Sequence, residues 1–330
     1  MKSGVNDTSL ARRRILSVAL GVLAYPIIAR PAQATGRSIF EWTGTALGAP
    51  ARILIADEGR KAAQSAVHRA VMELERIEDQ FSLYRDTSAL SRLNRDGLLV
   101  EPSMDMRQLI EMSRHMGMLS DGAFDVSVQP LWRFLADHFA RDPATSHGPD
   151  PQALSDIRRL VDYRQIKLSD RRITLAQGMS LTLNGIAQGY ATDRVVNVLR
   201  TSGYHDALVE LGEAYGAGER SPWTPWQIGI GESYPDRLVP LAGRALAVSS
   251  SDSTLFTQAS GYSHILNPRS GSSAQRGRVV YVIHSSATVA DALSTALCVM
   301  PPEQAKRLIA RCPGTDAFEI SANGVHKRLG

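Results

Sequence analysis

Cysteine is scarce in this chain of 330 residues, and the two that are present, Cys298 and Cys312, lack the paired spacing of a metal-binding or redox motif. Cys298 lies in an apolar segment and is predicted to be a small buried hydrophobe. An oxidising compartment would permit a disulfide between the two, although free thiols are the expectation. Neither cysteine is expected to be catalytic.

The chain also lacks the usual nucleotide-binding motifs. It has no GxGxxG after a predicted strand and no GxxxxGK[ST], so the sequence does not support a standard dinucleotide-binding or P-loop fold. Strand and helix patterns mix without a regular β–α–β order, so an α+β fold with mixed sheets and packed helices is expected. The length and the 43% apolar content suffice for one large domain or two tight lobes. A single large domain over residues 35–330 is predicted.

An excess of positive charge is confined to the N-terminus. Residues 1–34 hold five basic residues and one acid, and removing these from the 37 basic and 33 acidic residues of the chain leaves 32 of each. The remaining chain is formally neutral, so the pI of 9.2 does not indicate binding to nucleic acid or to an anionic membrane.

Residues 1–34 are interpreted as an export signal. The run Arg12-Arg13-Arg14-Ile15-Leu16 fits the twin-arginine pattern, an apolar stretch follows over residues 15–29, and Ala32-Gln33-Ala34 resembles a cleavage site. The stretch is short for a membrane span and contains Pro26. The predicted location is the periplasm, and an uncleaved N-terminal anchor is the alternative.

Apolar spacing predicts the main elements. Val67, Val71, Leu74, Ile77 and Phe81 recur at the spacing of one helical face. Helices are predicted at residues 61–80, 106–118, 190–200, 288–300 and 302–311. Strands are predicted at residues 52–56, 166–168, 173–175, 181–183, 207–211, 226–230, 245–249 and 279–283. The segment 140–151 is rich in turn-forming residues and is predicted to be an exposed loop.

Two oxygen ligands lie four residues apart in the predicted helix 288–300. Asp291 and Thr295 occupy positions i and i+4, which lie on one helical face. A carboxylate and a hydroxyl at this spacing suit Mg²⁺ better than zinc or copper. The alternative is structural: Asp291 would stabilise the start of the helix, and Thr295 would bond to its own turn.

A glycine-containing turn, residues 183–193, is predicted to join a strand to a helix. Gly185 and Gly189 would let the backbone approach a ligand, and free N–H groups at the helix start would favour a phosphate. A turned carbonyl, such as that of Ala187, could face a cation. An ordinary strand–helix turn is the alternative.

Three further segments combine turn residues with polar and aromatic groups. They are residues 81–84 followed by Asn94, residues 121–125, and residues 263–271, which contain His264. Taken singly, each is consistent with structure alone: Tyr84 and Phe124 with core aromatics, and His264 with a solvated or structural histidine.

In this order and spacing, the segments resemble the ApbE-like family of FAD:protein FMN transferases. The resemblance covers roughly residues 40–312, and its most specific parts read DGAFD at 121–125, GIAQGYATD at 185–193, SHILNP at 263–268 and ADALSTA at 290–296. It implies a T-fold-like α+β unit that binds FAD and Mg²⁺. It further implies transfer of FMN onto a Thr or Ser of an acceptor protein, through a phosphoester and with release of AMP.

The resemblance also implies roles for individual residues. The implied Mg²⁺ ligands are the Ala187 carbonyl, Asp291 and Thr295. The implied FAD contacts are Thr43, Tyr84, Ala123, Phe124, Asp125, Asn184, Tyr190 and His264. Asp291 would be catalytic through the metal. His264 is a candidate to assist deprotonation of the acceptor hydroxyl, since histidine titrates near neutral pH.

The sequence departs from the family pattern at several positions. Thr182, Asn184 and Gln188 replace the Asp, the first Gly and the Lys of the usual DxGGIAKG turn, so one positive charge near the phosphates is missing. Asn267 replaces an Asp, and Gly212-Glu213-Ala214 stands for Gly-Gly-Asp. The turn LNGIAQGY together with the twin-arginine pattern resembles the NosX branch linked to nitrous-oxide reductase systems, where the acceptor is the membrane-bound flavoprotein NosR.

Three functions remain open on the sequence. The first is Mg²⁺-dependent transfer of FMN from FAD to an acceptor flavoprotein, with the membrane involved only through that acceptor. The second is hydrolysis of FAD to FMN and AMP, in which water replaces the acceptor. The third, motivated by the substitutions in the turn, is an FAD-binding carrier or maturation factor without catalysis.

Overall fold

The protein is described by a computed structural model that covers residues 38–56, 60–230 and 237–330. The predicted export signal, residues 1–34, lies outside the described residues. Within the described ranges, no helix has the combination of length and apolar character that a membrane span requires.

The strands are short and joined mostly by tight turns. In chain order they are β1 (Ile39–Ala46), β2 (Ala49–Ala56), β3 (Leu98–Val100), β4 (Lys167–Leu168), β5 (Arg172–Thr174), β6 (Ala207–Glu210), β7 (Ala214–Ala217), β8 (Glu219–Ser221), β9 (Thr224–Gly229), β10 (Leu238–Leu241), β11 (Arg244–Ser250), β12 (Val279–His284), β13 (Asp316–Ile320) and β14 (His326–Arg328). Eight of them form one sheet in the order β1-β2-β6-β7-β11-β12-β13-β14, with antiparallel pairing throughout.

The helices pack on one face of this sheet or extend beyond it. They are α1 (Arg60–Phe81), α2 (Ala89–Asp96), α3 (Met104–Leu119), α4 (Gln129–Arg141), α5 (Pro151–Arg158), α6 (Ala187–Thr201), α7 (Ala287–Val299) and α8 (Pro302–Ala310). Helix α7 packs on β11 and β12, α6 packs on α7, and α1 packs on α6.

Helix α7 is central because its sequence, ATVADALSTALCV, is apolar on nearly every side. A helix of this kind is stable when it is surrounded by other elements rather than placed at a surface. Its neighbours supply that cover, and Ala290, Leu293 and Leu297 are fully buried. The polar groups of α7 therefore lie inside the protein.

Both faces of the large sheet are covered. On the face opposite the helices, Leu208, Leu246 and Tyr281 form a second apolar cluster with Trp226 and Ile228 of β9. The small sheet β10-β9-β8 supplies that cover. A third cluster joins α4 to Phe256 and Tyr262.

The predicted α+β architecture is confirmed, and the long predicted helices agree with α1, α3, α6, α7 and α8 to within a few residues. The loop at 140–151 is also present, between α4 and α5. The elements that were not predicted are the helices α2, α4 and α5 and the strands β1, β3, β7, β8, β10, β13 and β14.

The strand predicted at 181–183 is wrong. The side chain of Asn94 bonds both backbone groups of Leu181, donating to its carbonyl oxygen at 2.8 Å and accepting from its N–H at 2.6 Å. The N–H of Thr182 donates to the carbonyl oxygen of Val126 at 2.8 Å. The segment satisfies its backbone with a side chain and a neighbouring turn, so it needs no strand partner.

Candidate active site

The loop from Asn184 to Gly189 brings several of the predicted residues together. It leads into α6, and the N–H of Ala187, the first residue of that helix, donates to the carbonyl oxygen of Leu183 at 2.8 Å. The residue before the helix, Ile186, provides no side-chain cap. The first turn of α6 therefore depends on other parts of the chain for its remaining donors.

The two glycines of this loop are required by contacts with α7. A Cβ atom on Gly189 would lie 2.6 Å from the carbonyl carbon of Ala287, and closer still to its oxygen. A Cβ atom on Gly185 would lie 3.0 Å from the hydroxyl oxygen of Thr295. The glycines were expected to allow approach of a ligand; the structure shows that they allow close approach of α6 and its loop to α7.

Asp291 links α7 to the first turn of α6. Its carboxylate accepts a hydrogen bond from the N–H of Gly189 at 3.0 Å, and the residue is only 3% exposed. Burial raises the pKa of Asp291 to about 7; the Gly189 hydrogen bond acts against this rise and the charge of Asp193 adds to it. The Gly189 N–H, expected to be free for a phosphate, is thus occupied by a carboxylate.

Asp193 fixes the start of α7. Its carboxylate accepts hydrogen bonds from the hydroxyl of Ser286, the N–H of Ala287 and both the N–H and hydroxyl of Thr288, at distances between 2.6 and 3.0 Å. These donors include N–H groups that have no partner within the helix. Asp193 therefore connects α6 to the start of α7. Its partners in α7 lie about one helical turn before Asp291.

Ala187, Asp291 and Thr295 together suit a hard divalent cation. Asp291 takes part in no ion pair among the described residues, and the charge that acts on it is that of Asp193, which is also negative. A buried carboxylate without a basic partner is costly unless it is neutralised by a proton or a metal. The Thr295 hydroxyl faces the same loop at Gly185, and Ala187 opens the helical turn that contacts Asp291. These oxygen groups fit Mg²⁺.

This site would not be recognised from clustered metal-binding side chains. Within the described ranges, no group of three His, Cys, Asp or Glu side chains is arranged to hold a metal ion. The predicted set contains one carboxylate, with a hydroxyl and a carbonyl as its other members.

Glu213 is a second buried carboxylate at the first turn of α6. It lies in the turn between β6 and β7 and is 5% exposed, and its Oε2 atom has no hydrogen-bond partner among the residues that the structure describes. Burial raises the pKa of Glu213 well above its ordinary value, and the charge of Asp291 raises it further. The sequence indicated Glu213 only as a charged residue where a glycine was expected, and no role was predicted for it.

Tyr84 and Phe124 approach the loop from two other segments. The Tyr84 phenol hydrogen bonds with the side chain of Asn184; partial burial raises the pKa of Tyr84, and this bond acts in the opposite direction. The ring of Phe124 lies beside Gly185, where a Cβ atom would be 3.4 Å from its Cε2 atom. Tyr84 is 44% exposed, so part of its side chain lies at the surface next to the loop.

Other predicted FAD contacts have partners inside the protein. The Asp125 carboxylate accepts hydrogen bonds from the N–H and hydroxyl of Ser127 and from the N–H of Tyr163. Tyr190 packs edge-on against Phe81 and donates its hydroxyl hydrogen to Asp105. Ala123 is buried.

His264 and Thr43 lie in separate segments. The Nδ1 atom of His264 is 3.0 Å from the carbonyl oxygen of Thr254. Because a carbonyl oxygen only accepts, Nδ1 carries the hydrogen and Nε2 is left with a lone pair. Thr43 is exposed in the edge strand β1, opposite Arg52, and its side chain takes part in none of the hydrogen bonds of the described residues.

A sequence profile of the ApbE family matches residues 47–318. The chain belongs to the ApbE family. The family expected from the four segments is therefore confirmed, and the match includes the loop, α6 and α7.

Curated relatives of this family member are named FAD:protein FMN transferase. The protein of Treponema pallidum (strain Nichols) is 30% identical in an alignment of 294 residues that covers 77% of each chain. That of Escherichia coli (strain K12) is 24% identical over 345 residues, covering 96% of this chain and 94% of the relative. These names agree with the enzyme class expected from the sequence.

Solved structures share the fold. The apo form of the Pseudomonas stutzeri flavinyl transferase ApbE matches with a TM-score of 0.75 and 27% identity, over 90% of this chain and 97% of the other. The ApbE protein of Thermotoga maritima matches with a TM-score of 0.76 and 26% identity, over 88% and 97% of the respective chains. The single-domain α+β fold is thereby confirmed.

Proposed function

We propose that this ApbE family member transfers FMN from FAD to a Thr or Ser hydroxyl of an acceptor protein and releases AMP. The hydroxyl oxygen attacks the phosphorus of the FMN phosphate. A P–O bond to the acceptor forms, the P–O bond to the AMP leaving group breaks, and the hydroxyl proton passes to a base. The observation that carries the proposal is the convergence of Asp291 and Thr295 on the loop reached by Tyr84 and Phe124.

Asp291, Thr295 and the Ala187 carbonyl would hold Mg²⁺. When bound, the cation would neutralise charge that builds up on the phosphates as the pyrophosphate is cleaved. Asp291 serves this role because it is buried without a basic partner and is held by Gly189. Gln188 brings no positive charge to the loop, so positive charge beside the phosphates would depend on the cation held by these residues.

Tyr84, Phe124 and Asn184 would orient the flavin-bearing end of FAD beside the loop. The partly exposed aromatic ring of Tyr84 is suited to stacking, and its bond to Asn184 holds it in place. His264 would accept the hydroxyl proton at Nε2, since its Nδ1–H is committed to Thr254. The proposed FAD pocket also includes Thr43, Ala123, Asp125 and Tyr190. Asp125 and Tyr190 would act indirectly, by stabilising the elements to which they are bonded.

The test combines the purified protein with FAD, Mg²⁺ and an acceptor fragment that bears a flavinylation Thr. Covalent FMN, seen as fluorescence in a denaturing gel, should appear together with an equal amount of AMP. The matched control is the same fragment with that Thr changed to Ala, which should remain unlabelled. Failure to label the unmodified fragment, under conditions in which the Treponema pallidum relative labels its own acceptor, would contradict the proposal.

The same experiment separates the two alternative functions. A hydrolase would release FMN and AMP without labelling either fragment. A carrier would bind FAD and release no AMP at any Mg²⁺ concentration. Thr182, Asn184 and Gln188, which depart from the expected turn, are the reason to measure both products.

We further propose that the acceptor is a periplasm-facing flavoprotein, with NosR of nitrous-oxide reduction as the first candidate. The support is the twin-arginine pattern at Arg12 and Arg13 together with the turn LNGIAQGY. Replacing both arginines by lysine should prevent export, and cell fractionation would measure this. Labelling of a NosR fragment would identify the acceptor, and a screen of other flavinylation sites would follow a negative result.

A further inference from the structure

Two buried carboxylates face the same helical turn. The side chain of Gln188 lies over Gly212, where a Cβ atom would be 2.5 Å from its Nε2 atom, so the turn containing Glu213 is packed against the start of α6. Asp291 reaches the same turn from α7 through the N–H of Gly189. Glu213 and Asp291 therefore approach the first turn of α6 from two different elements, and the charge of Asp291 acts on Glu213.

No basic side chain in the described part of the chain balances this pair. Among the described residues, neither carboxylate forms an ion pair, and no lysine or arginine contributes to the charge acting on either one. The N–H of Val248 bonds Glu213, but its Oε2 atom is buried and without a partner. By contrast, the nearby buried Glu210 is paired with Arg52 at 2.5 Å.

A buried carboxylate oxygen without a partner, on a side chain that feels the charge of a second buried carboxylate, is an arrangement that a divalent cation stabilises. A positive ion between them would remove their mutual repulsion and satisfy the free oxygen atom. Without a cation, the apolar surroundings of Glu213 offer neither effect. Replacing Glu213 by a neutral residue would then not lower the stability of the protein.

We propose that Glu213 is a second carboxylate of the cation site, and that the FAD-free protein binds a divalent cation through Asp291 and Glu213 together. The inference rests on the proposed metal site at Asp291. Glu213 completes that site from the β6–β7 turn, either as a direct ligand or through a metal-bound water. Binding of the cation then precedes and does not require the phosphates of FAD.

The experiment measures Mg²⁺ and Mn²⁺ binding to the FAD-free protein by isothermal titration calorimetry. Wild-type protein should bind Mg²⁺ or Mn²⁺ without FAD, and Glu213→Gln should weaken the affinity for that ion at least tenfold. The metal-free melting temperature of Glu213→Gln should equal or exceed that of the wild type, because a buried charge has been removed. Added Mg²⁺ should raise the melting temperature of the wild type much more than that of the variant.

Glu210→Gln is the matched control, since it makes the same change at a buried glutamate of the same hairpin that has Arg52 as its partner. Its cation affinity should stay within twofold of the wild type. If Glu213→Gln does not fold, Glu213→Asp provides the second variant, and it should bind the cation with intermediate affinity.

The outcomes distinguish this inference from the proposed function. Unchanged affinity in Glu213→Gln with lost affinity in Asp291→Asn would overturn the role of Glu213 and leave the metal site intact. Absence of binding to FAD-free wild-type protein would overturn the inference, while labelling of the acceptor with FAD and Mg²⁺ present would still support the transferase. Loss of that labelling in the wild type would refute the transferase independently of Glu213.

Discussion

At the scale of single residues, Asp291 combines a structural contact with a charge, and one substitution separates them. In Asp291→Asn the amide oxygen can still accept the N–H of Gly189, but the negative charge is gone. Flavin transfer should fall by at least about 100-fold, because stabilisation of the phosphate charge depends on the cation. The free energy of unfolding should remain within about 1–2 kcal/mol of the wild type. Gel fluorescence and denaturant unfolding measure the two effects.

Thr295→Val provides the comparison for this prediction. Valine keeps the volume and the contact with Gly185 but removes the hydroxyl, so a smaller loss of transfer is expected than for Asp291→Asn. A folded Asp291→Asn protein with an unchanged rate would mean that Asp291 serves only to connect α6 and α7.

His264 predicts a particular pH dependence. Burial lowers the pKa of the His264 imidazole below its ordinary value of 6.5, and the hydrogen bond with Thr254 acts in the opposite direction. The neutral form is therefore available below pH 6.5, and the acid limb of the transfer rate should lie below that value. His264→Gln should lower transfer by about 100-fold or more and abolish this limb. Rates measured between about pH 5 and pH 8, the range in which histidine changes charge, would check both effects.

The same shift makes a signed prediction for stability. Above pH 6.5 the imidazole is neutral in the folded and unfolded states, so the stability of the folded protein is not reduced by protonation of His264. As the pH falls below 6.5, the unfolded chain takes up the proton first, so the wild type loses stability until the folded pKa is passed. His264→Gln should lack this loss. Equal acid sensitivity in both proteins would show that His264 is not buried in solution.

At the scale of elements, the contact between α6 and α7 depends on Gly189. Gly189→Ala would place a methyl group 2.6 Å from the carbonyl carbon of Ala287 and 2.9 Å from the Cβ atom of Asp291. Backbone cannot move aside as a flexible side chain can, so the helices must separate. The free energy of unfolding should drop by about 3 kcal/mol, and transfer should fall with it, because Asp291 loses its position.

Asn197→Ala is the control in the same helix. Its side chain is exposed, so the change should alter stability by less than about 0.5 kcal/mol. Thermal denaturation of both variants measures the difference. If Gly189→Ala were as stable as Asn197→Ala, the close contact between Gly189 and Ala287 would be absent in solution.

At the scale of the whole molecule, the two cysteines should remain free thiols even in an oxidising compartment. Cys298 lies in the last turn of α7 and is fully buried, and Cys312 is also buried. Burial raises the pKa of Cys298 to about 12, so the reactive thiolate is scarce. Native protein should resist alkylation, and denatured protein should take up two alkyl groups by mass spectrometry. Alkylation that appears only after reduction would reveal a disulfide.

Much of the molecule could be predicted from sequence because the deciding interactions are local. The apolar faces of α1 and α3 and the all-round apolar character of α7 depend on residues a few positions apart, and these elements were located correctly. The family was also recognisable, since four short segments keep their order and composition. The pairing of Asp291 with Thr295 follows from helical spacing alone.

Tertiary structure decided the features that join distant parts of the chain. Leu181 is not in a strand because Asn94, 87 residues away in the sequence, bonds its backbone. Gly189 donates its N–H to Asp291, whereas the local sequence alone suggested that this N–H would be free for a ligand. Glu213 becomes a buried carboxylate because a turn of the sheet packs under α6. Each outcome follows from the requirement that buried polar groups find partners, and the chain as a whole determines which partners lie within reach.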